Sequence, residues 1–467
     1  MKNILIILFL INTFVLLGQD NVEIESNIIK KKLASQYFEN DRTIKIYLPK
    51  NHDNNKKHSV IYTLDGYELF PITSNYVSFL VKYDIIPNSI VVSVYHNDRN
   101  YETTPNYGQD AEVPLIKYLK GSEKLKNHLL NEVKPLIEKE YATSDFNVLV
   151  GHSNTATFVN ELISKNDNPF KGFIAISPDL AEEQISHLKK YLSEKRVKKI
   201  YYFVSSGLKD DKYRLETGQR IDTIFQTTDN NNLMGLHKTY KAGHLDLVPK
   251  SLNEALMFVF SDYRNYDDFE EKMSEIDFSV KNYISKKIQE SNNTFGIASS
   301  LNEEDYYYLI EKIANKKNRL LLDQILEVGY ANKFYTENHL YSDRAQWYEQ
   351  AEFYEVALIN WILQLENGYY ENTFYFERPF KLLTEKLKRP KQGIQFLEKS
   401  IKKYPKGGLI FKYWIARTIL ENNLKKKDGI KAINYCIDNF KENRKFSLVD
   451  AKDLKMKFLI KTKIKKD

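Results

Sequence analysis

A chain of 467 residues that holds a single cysteine cannot make an internal disulfide or a cysteine-based zinc cluster. That cysteine, Cys436, sits in the apolar pattern Ala432-Ile433-Asn434-Tyr435-Cys436-Ile437 and reads as a small buried hydrophobe. Long apolar runs are also missing after the N-terminus, so no membrane span is expected in the mature chain. No nucleic-acid-binding motif accompanies the formal charge of +7, and nucleic acid is not expected as a partner. Lys and Arg alternate with Asp and Glu through most of the chain, and the densest basic run is Lys461 to Lys466. Such patterning reads as a solvated surface and tail.

What is present suggests an exported globular protein. Lys2 and the apolar stretch Ile4 to Leu17, interrupted by Asn12 and Thr13 and followed by Gly18-Gln19, read as a secretory signal peptide over residues 1–18. The absence of a cysteine near that point excludes a lipid anchor there, so a periplasmic or secreted product is expected. Hydrophobic residues at 42%, with 33 Tyr and 26 Phe, argue against disorder. The length calls for two domains.

From about residue 40 to 260, short apolar runs alternate with longer amphipathic ones. Strands are predicted at Thr43–Leu48, Ser59–Leu64, Ser89–Tyr95, Asn147–Val150, Phe173–Ile176, Lys199–Val204 and Lys238–Lys241. Helices are predicted at Leu115–Tyr141, Thr155–Ser164 and Leu252–Phe260. Near-continuous Ile, Val and Tyr runs mark strands covered on both faces, so this half is α/β, a sheet with flanking helices. Beyond residue 265 helical periodicity takes over. Ala357, Gly393 and Ala432 occupy equivalent places in similar segments, 36 and 39 residues apart, which predicts stacked helical hairpins similar to tetratricopeptide repeats. The expected division is 19–265 and an all-α part, 266–467.

Chemistry concentrates at Phe146-Asn147-Val148-Leu149-Val150-Gly151-His152-Ser153-Asn154-Thr155-Ala156. An apolar strand, then Gly-His-Ser, then small residues opening a helix is the order of a nucleophile elbow, which holds a serine on a strained strand-to-helix turn. Thr155 stands where glycine is usual. A serine hydroxyl needs an adjacent base. His244, in Ala242-Gly243-His244-Leu245-Asp246 after a late strand, has the right place in chain order for an α/β-hydrolase base. His237 is its rival, and His152 should point away from the serine. The orienting acid is expected after the strand ending at Val204, where Asp210 and Asp211 both fit; Asp210 is favoured by its distance from the strand. Oxyanion donors are expected at the N–H of Asn154 and at Gly66 or Tyr67, in a turn that Asp65 could fix.

Together these segments resemble the putative-esterase family of α/β hydrolases, which includes enterochelin (siderophore) esterases and esterase D. The resemblance rests on Tyr62-Thr63-Leu64-Asp65-Gly66, the stretch Val94 to Pro105 with Asn97, Arg99, Thr104 and Pro105, Gly151-His152-Ser153, Ile176-Ser177-Pro178 and Gly243-His244. It implies ester hydrolysis on a small-molecule ester through a serine acyl-enzyme, with no metal or organic cofactor. Arg99 could bind an acidic substrate group or serve a structural ion pair. Two departures are Thr155-Ala156 in place of two glycines and Asn100 after Arg99. Two further readings are an acyltransferase of the same fold and a non-catalytic protein that binds a protein partner through the helical half.

Overall fold

The computed structural model describes residues 27–50, 52–103, 115–165, 168–194, 199–368 and 370–463. The signal-peptide reading and the Thr104-Pro105 pair lie outside these residues. The chain divides into two compact units, residues 1–265 with 287–300, and residues 266–286 with 301–467.

The first unit is built on one eight-stranded sheet, in the order β1-β2-β4-β3-β5-β6-β7-β8. The strands are β1 (Ile28–Leu33), β2 (Arg42–Tyr47), β3 (His58–Thr63), β4 (Ser89–Val94), β5 (Thr143–His152), β6 (Gly172–Ile176), β7 (Ile200–Gly207) and β8 (Leu233–Tyr240). β1 and β2 run antiparallel, and the sheet is parallel from β4 through β8. The fold is therefore of the α/β-hydrolase class.

All seven predicted strands form. β1 has no counterpart in the prediction because its sequence, Ile-Ile-Lys-Lys-Lys-Leu, is mostly exposed at the sheet edge, where a strand shows no alternation against a core. The central strands β3, β4 and β6 are buried at every position. Alternate side chains feed two cores. Val60, Tyr62 and Leu149 pack on one face, whereas Ile61, Val148 and Val150 pack on the other. Burying both faces is what made these runs read as continuously apolar. Phe295, from the segment 287–300, joins the second of these cores against Phe146, Tyr201 and Phe260.

The helices of this unit are α1 (Leu69–Lys82), α2 (Arg99–Thr103), α3 (Leu115–His128), α4 (Lys134–Glu140), α5 (Asn154–Ile163), α6 (Glu182–Ser193), α7 (Lys212–Thr227) and α8 (Leu247–Val259). The predicted single helix over Leu115–Tyr141 is interrupted by a π-helical turn at Leu129–Val133. Parallel register aligns the strand ends that matter: Gly151 pairs with Ala175, His152 with Ile176, and Ile176 with Ser205. The residues after β5, β6 and β7 thus emerge along one edge of the sheet, where ligand sites of open parallel sheets lie.

The second unit is helical. α9 (Phe269–Lys272) and the first part of α10 (Val280–Phe295), whose residues from 287 onward are counted with the first unit, are followed by helix pairs joined by short turns. These are α11 (Glu303–Asn315) with α12 (Arg319–Ala331), and α13 (Leu340–Gln350) with α14 (Tyr354–Glu366). Next come α15 (Phe374–Lys381), extended by a π turn, with α16 (Pro390–Lys403), then α17 (Gly408–Glu421) with α18 (Lys426–Asp438), and last α19 (Leu448–Lys463). Ala357, Gly393 and Ala432 lie in the second helix of three successive pairs, α14, α16 and α18, all buried. At Gly393 a Cβ would come within 2.7 Å of the Thr384 methyl, so the small residue sets how closely that pair approaches.

Candidate active site

The elbow forms as the spacing requires. β5 ends at His152, α5 starts at Asn154, and Ser153 between them has φ 61° and ψ −123°. Few non-glycine residues adopt such a backbone, at a cost of about 1–3 kcal/mol. Gly151 makes the turn possible, because a Cβ there would lie 2.4 Å from the Thr155 carbonyl oxygen. The Ser153 N–H donates to Ile176 O at 2.9 Å, which ties the elbow to the end of β6. Two neighbouring strand ends also carry a positive φ on non-glycine residues: Asp65 after β3 (φ 56°) and Ser177 after β6 (φ 55°).

Thr155, the departure from glycine, is fully buried and bonded on both sides. Its hydroxyl accepts from the His152 N–H at 2.7 Å and lies 2.7 Å from Asp65 Oδ2 and 2.9 Å from His152 O. A hydroxyl has one proton to give. Arg99 Nη2 already donates to His152 O at 3.1 Å, so the Thr155 proton belongs to the carboxylate. Arg99 also grips Asp65 with two bonds, Nε to Oδ1 at 2.5 Å and Nη2 to Oδ2 at 3.0 Å. The carboxylate raises the guanidinium pKa above its usual value despite partial burial. Of the two readings of Arg99, a substrate contact or a structural ion pair, the ion pair is formed, and its partner is Asp65, the residue of the turn after β3.

A second buried layer supports the first. Asp65 N–H donates to His96 Nε2 at 3.3 Å, and His96 Nδ1 meets Glu102 Oε2 at 3.0 Å. Glu102 also accepts from Arg42, in an ion pair only 1% and 2% exposed, and from the N–H groups of Asn97 and Asp98. Burial alone would raise the Glu102 carboxyl. The hydrogen bonds from His96 and Arg42, with the Arg42 charge, bring it instead to about 2. The sequence reading gave Arg42, His96 and Glu102 no role in such a network, because nothing local marks a pair 60 residues apart.

His244 follows β8, and its Nδ1 lies 3.1 Å from each oxygen of Asp210. That contact puts the ring proton on Nδ1 and leaves Nε2 free to accept. Asp210 is 2% exposed, whereas Asp211 lies at the start of α7 and accepts from Tyr213 Oη at 3.1 Å. Of the two acids left open by the sequence, Asp210 meets the imidazole. Burial pushes its carboxyl up, but hydrogen bonds from Ser177 and His244 outweigh this and hold it below the usual carboxylate range. Ser177 Oγ donates to Asp210 Oδ2 at 2.6 Å and lies 3.2 Å from His244 Nδ1. Its role was missed; the left-handed turn that aims it has no sequence marker. His237, the rival base, is in β8 with Nε2 3.1 Å from Ser206 Oγ.

His152 couples the elbow to this loop. Its Nε2 donates to His244 O at 2.9 Å, and the two rings face each other with centroids 4.6 Å apart. Burial, then the facing His244 charge, lowers the His152 pKa to about 4. Ser153 Oγ, in a residue 8% exposed, bonds to no other described residue.

The Asn154 N–H, first in α5, has no backbone partner among the described residues, nor has that of Tyr67. Gly66 is a correction. Its N–H donates to Val94 O at 3.1 Å, so the register of β3 and β4 consumes the donor expected of it. Gly66 instead allows close packing, since a Cβ there would meet the Tyr95 ring at 2.6 Å. Among the described residues no group of three or more His, Cys, Asp or Glu is placed to hold a metal ion.

Residues 35–244 match the model of a family described as putative esterase. No curated protein matches the chain significantly. Among solved structures, an uncharacterised protein from Capnocytophaga ochracea superposes with a TM-score of 0.55 at 14% identity, over 76% of this chain and 99% of that one. An IroE-like serine hydrolase from Shewanella oneidensis does so with a TM-score of 0.51 at 19% identity, over 66% of this chain and all of that one.

Proposed function

We propose that the first unit, whose residues 35–244 match a family model described as putative esterase, cleaves small-molecule carboxylic esters through an acyl-enzyme on Ser153. The observation that carries this reading is the strained Ser153, on the edge that also carries an Asp210–His244 pair with Nε2 free. His244 Nε2 takes the Ser153 proton as Oγ attacks the ester carbonyl. The N–H groups of Asn154 and Tyr67 stabilise the oxyanion, a contribution of about 3 kcal/mol per donor in comparable sites. The C–O bond to the alcohol then breaks, and the alkoxide leaves with the proton from His244. A water, deprotonated by the same nitrogen, attacks the acyl carbon, and Ser153 leaves with that proton. Asp210, with Ser177 bonded to it, holds the imidazole and stabilises its charged form. Among the described residues Ser153 Oγ and His244 Nε2 are not hydrogen-bonded to each other; such bonds commonly tighten when substrate binds. The N-terminal pattern of Lys2, apolar residues and Gly18 supports export, to the periplasm or outside the cell.

The test is fluorophosphonate labelling of the protein beside Ser153→Ala and His244→Ala, followed by an ester panel with and without competing alcohols. Labelling lost in both variants, with turnover to free acid, is expected. A folded protein that does not label would overturn the reading. Acyl transfer to the alcohols in preference to water would make it a transferase.

A further inference from the structure

The last helix, α19, is apolar on two opposite sides. Ala451, Leu454 and Phe458 are buried, with Phe458 seated over Gly429 of α18, where a Cβ would lie 2.5 Å from the ring. That face docks the helix and leaves the other toward solvent. Val449, Met456, Leu459 and Ile460 are 66%, 59%, 51% and 54% exposed. At about 100° per residue, Val449, Met456 and Ile460 fall within a stripe about 40° wide, with Leu459 beside it. Elsewhere in the helical unit, no described helix exposes more than two large apolar residues, as with Leu320 and Tyr330 on α12, against four on α19.

Charge identifies the cover. Lys452 and Asp453 share the outer face, and Lys455 and Lys457 flank it. From Leu448 to Asp467 the sequence carries seven lysines against three aspartates, because Lys461, Lys463, Lys465 and Lys466 follow. One of those aspartates, Asp450, is engaged by Ser447 at the start of the helix. An apolar stripe bordered by lysines is the composition of a helix that lies in the surface of an anionic bilayer, apolar side chains in the acyl boundary and ammonium groups at the headgroups. We propose that the outer face of α19 docks the protein onto anionic lipid. The apolar stripe supplies burial, the lysines supply attraction to phosphate, and neither suffices alone.

The full chain would be floated with vesicles of pure phosphatidylcholine and with vesicles containing one-third phosphatidylglycerol, at low and high salt. Flotation only with the anionic vesicles, lost at high salt, is expected. Met456→Gln with Ile460→Gln should weaken it at least about tenfold through lost apolar burial. Lys452→Gln, Lys455→Gln and Lys457→Gln together should weaken it about a hundredfold. Four of the five positions are exposed and Lys455 is half-buried, and circular dichroism would verify the fold. Absence of flotation, equal flotation with neutral vesicles, or binding unmoved in both variants would each overturn the proposal. So would a wild-type dimer that the Met456/Ile460 variant dissociates, because the face would then belong to a second copy.

Discussion

Thr155→Val tests whether the hydroxyl at the elbow is structural. The two side chains have nearly the same shape, so the change removes two hydrogen bonds and adds no cavity. It leaves the buried His152 N–H without its 2.7 Å acceptor and the Asp65 carboxylate without its 2.7 Å donor. An unsatisfied buried N–H costs about 1–3 kcal/mol, and a hydrogen bond to a charged group contributes about 1.5–3. Arg99 still holds Asp65 with two bonds, so the second loss is cushioned. The expected net loss is about 2–4 kcal/mol, in the first unit alone. Thr155→Ser keeps both bonds and should lose only about 1 kcal/mol, for a methyl group. Urea unfolding, following the transition of the first unit, measures stability, and the rate of fluorophosphonate labelling reports elbow geometry. If Thr155→Val unfolds within about 0.5 kcal/mol of wild type and labels at the same rate, the hydroxyl supports nothing and the argument fails.

Other expectations concern the proposed triad. Asp210→Asn should lower kcat about a thousandfold or more, whereas Asp211→Asn, at the head of α7, should leave it within about twofold. Ser177→Ala removes a donor that helps hold the Asp210 carboxyl down. It should cost about tenfold in kcat/KM and move the acid limb of its pH profile upward; an unshifted limb would show that Ser177 does not act through Asp210. His152 binds its proton more weakly in the folded chain, with a pKa of about 4 against a reference of 6.5. Between those values the unfolded chain carries more protons, so stability rises with pH across that window, by up to about 3 kcal/mol. His152→Gln should flatten that slope relative to wild type, and parallel urea melts at several pH values would detect it.

The sequence was most legible where local chemistry and burial coincide. Val148 to Val150 followed by Gly151-His152-Ser153 announces both a central strand and the turn after it, because a doubly buried strand is apolar throughout and the elbow tolerates few residues at 151. The helical half was readable through its period, as Ala357, Gly393 and Ala432 occupy equivalent positions. What escaped reading depends on distant partners. Glu102 looks like any helical acid until Arg42, brought in by the antiparallel β2, is bonded to it. The choice between Gly66 and Tyr67 turns on which amide the β3–β4 register consumes. Arg99 presents the same letter whether it faces substrate or Asp65. Ser177 became visible only when the left-handed turn after β6 aimed its hydroxyl at Asp210.

Three neighbouring parallel strands, β3, β5 and β6, lead into Asp65, Ser153 and Ser177 in left-handed backbone. Glycine would relax each of these turns, so the unmodified chain sits below the stability its own fold permits. Random drift favours relief of such strain, and a lineage that no longer used these side chains would be free to replace them. On the proposed reading, these three polar residues are where the chain gives up stability for chemistry. Ser153→Gly should accordingly yield a protein that is dead toward esters yet harder to unfold.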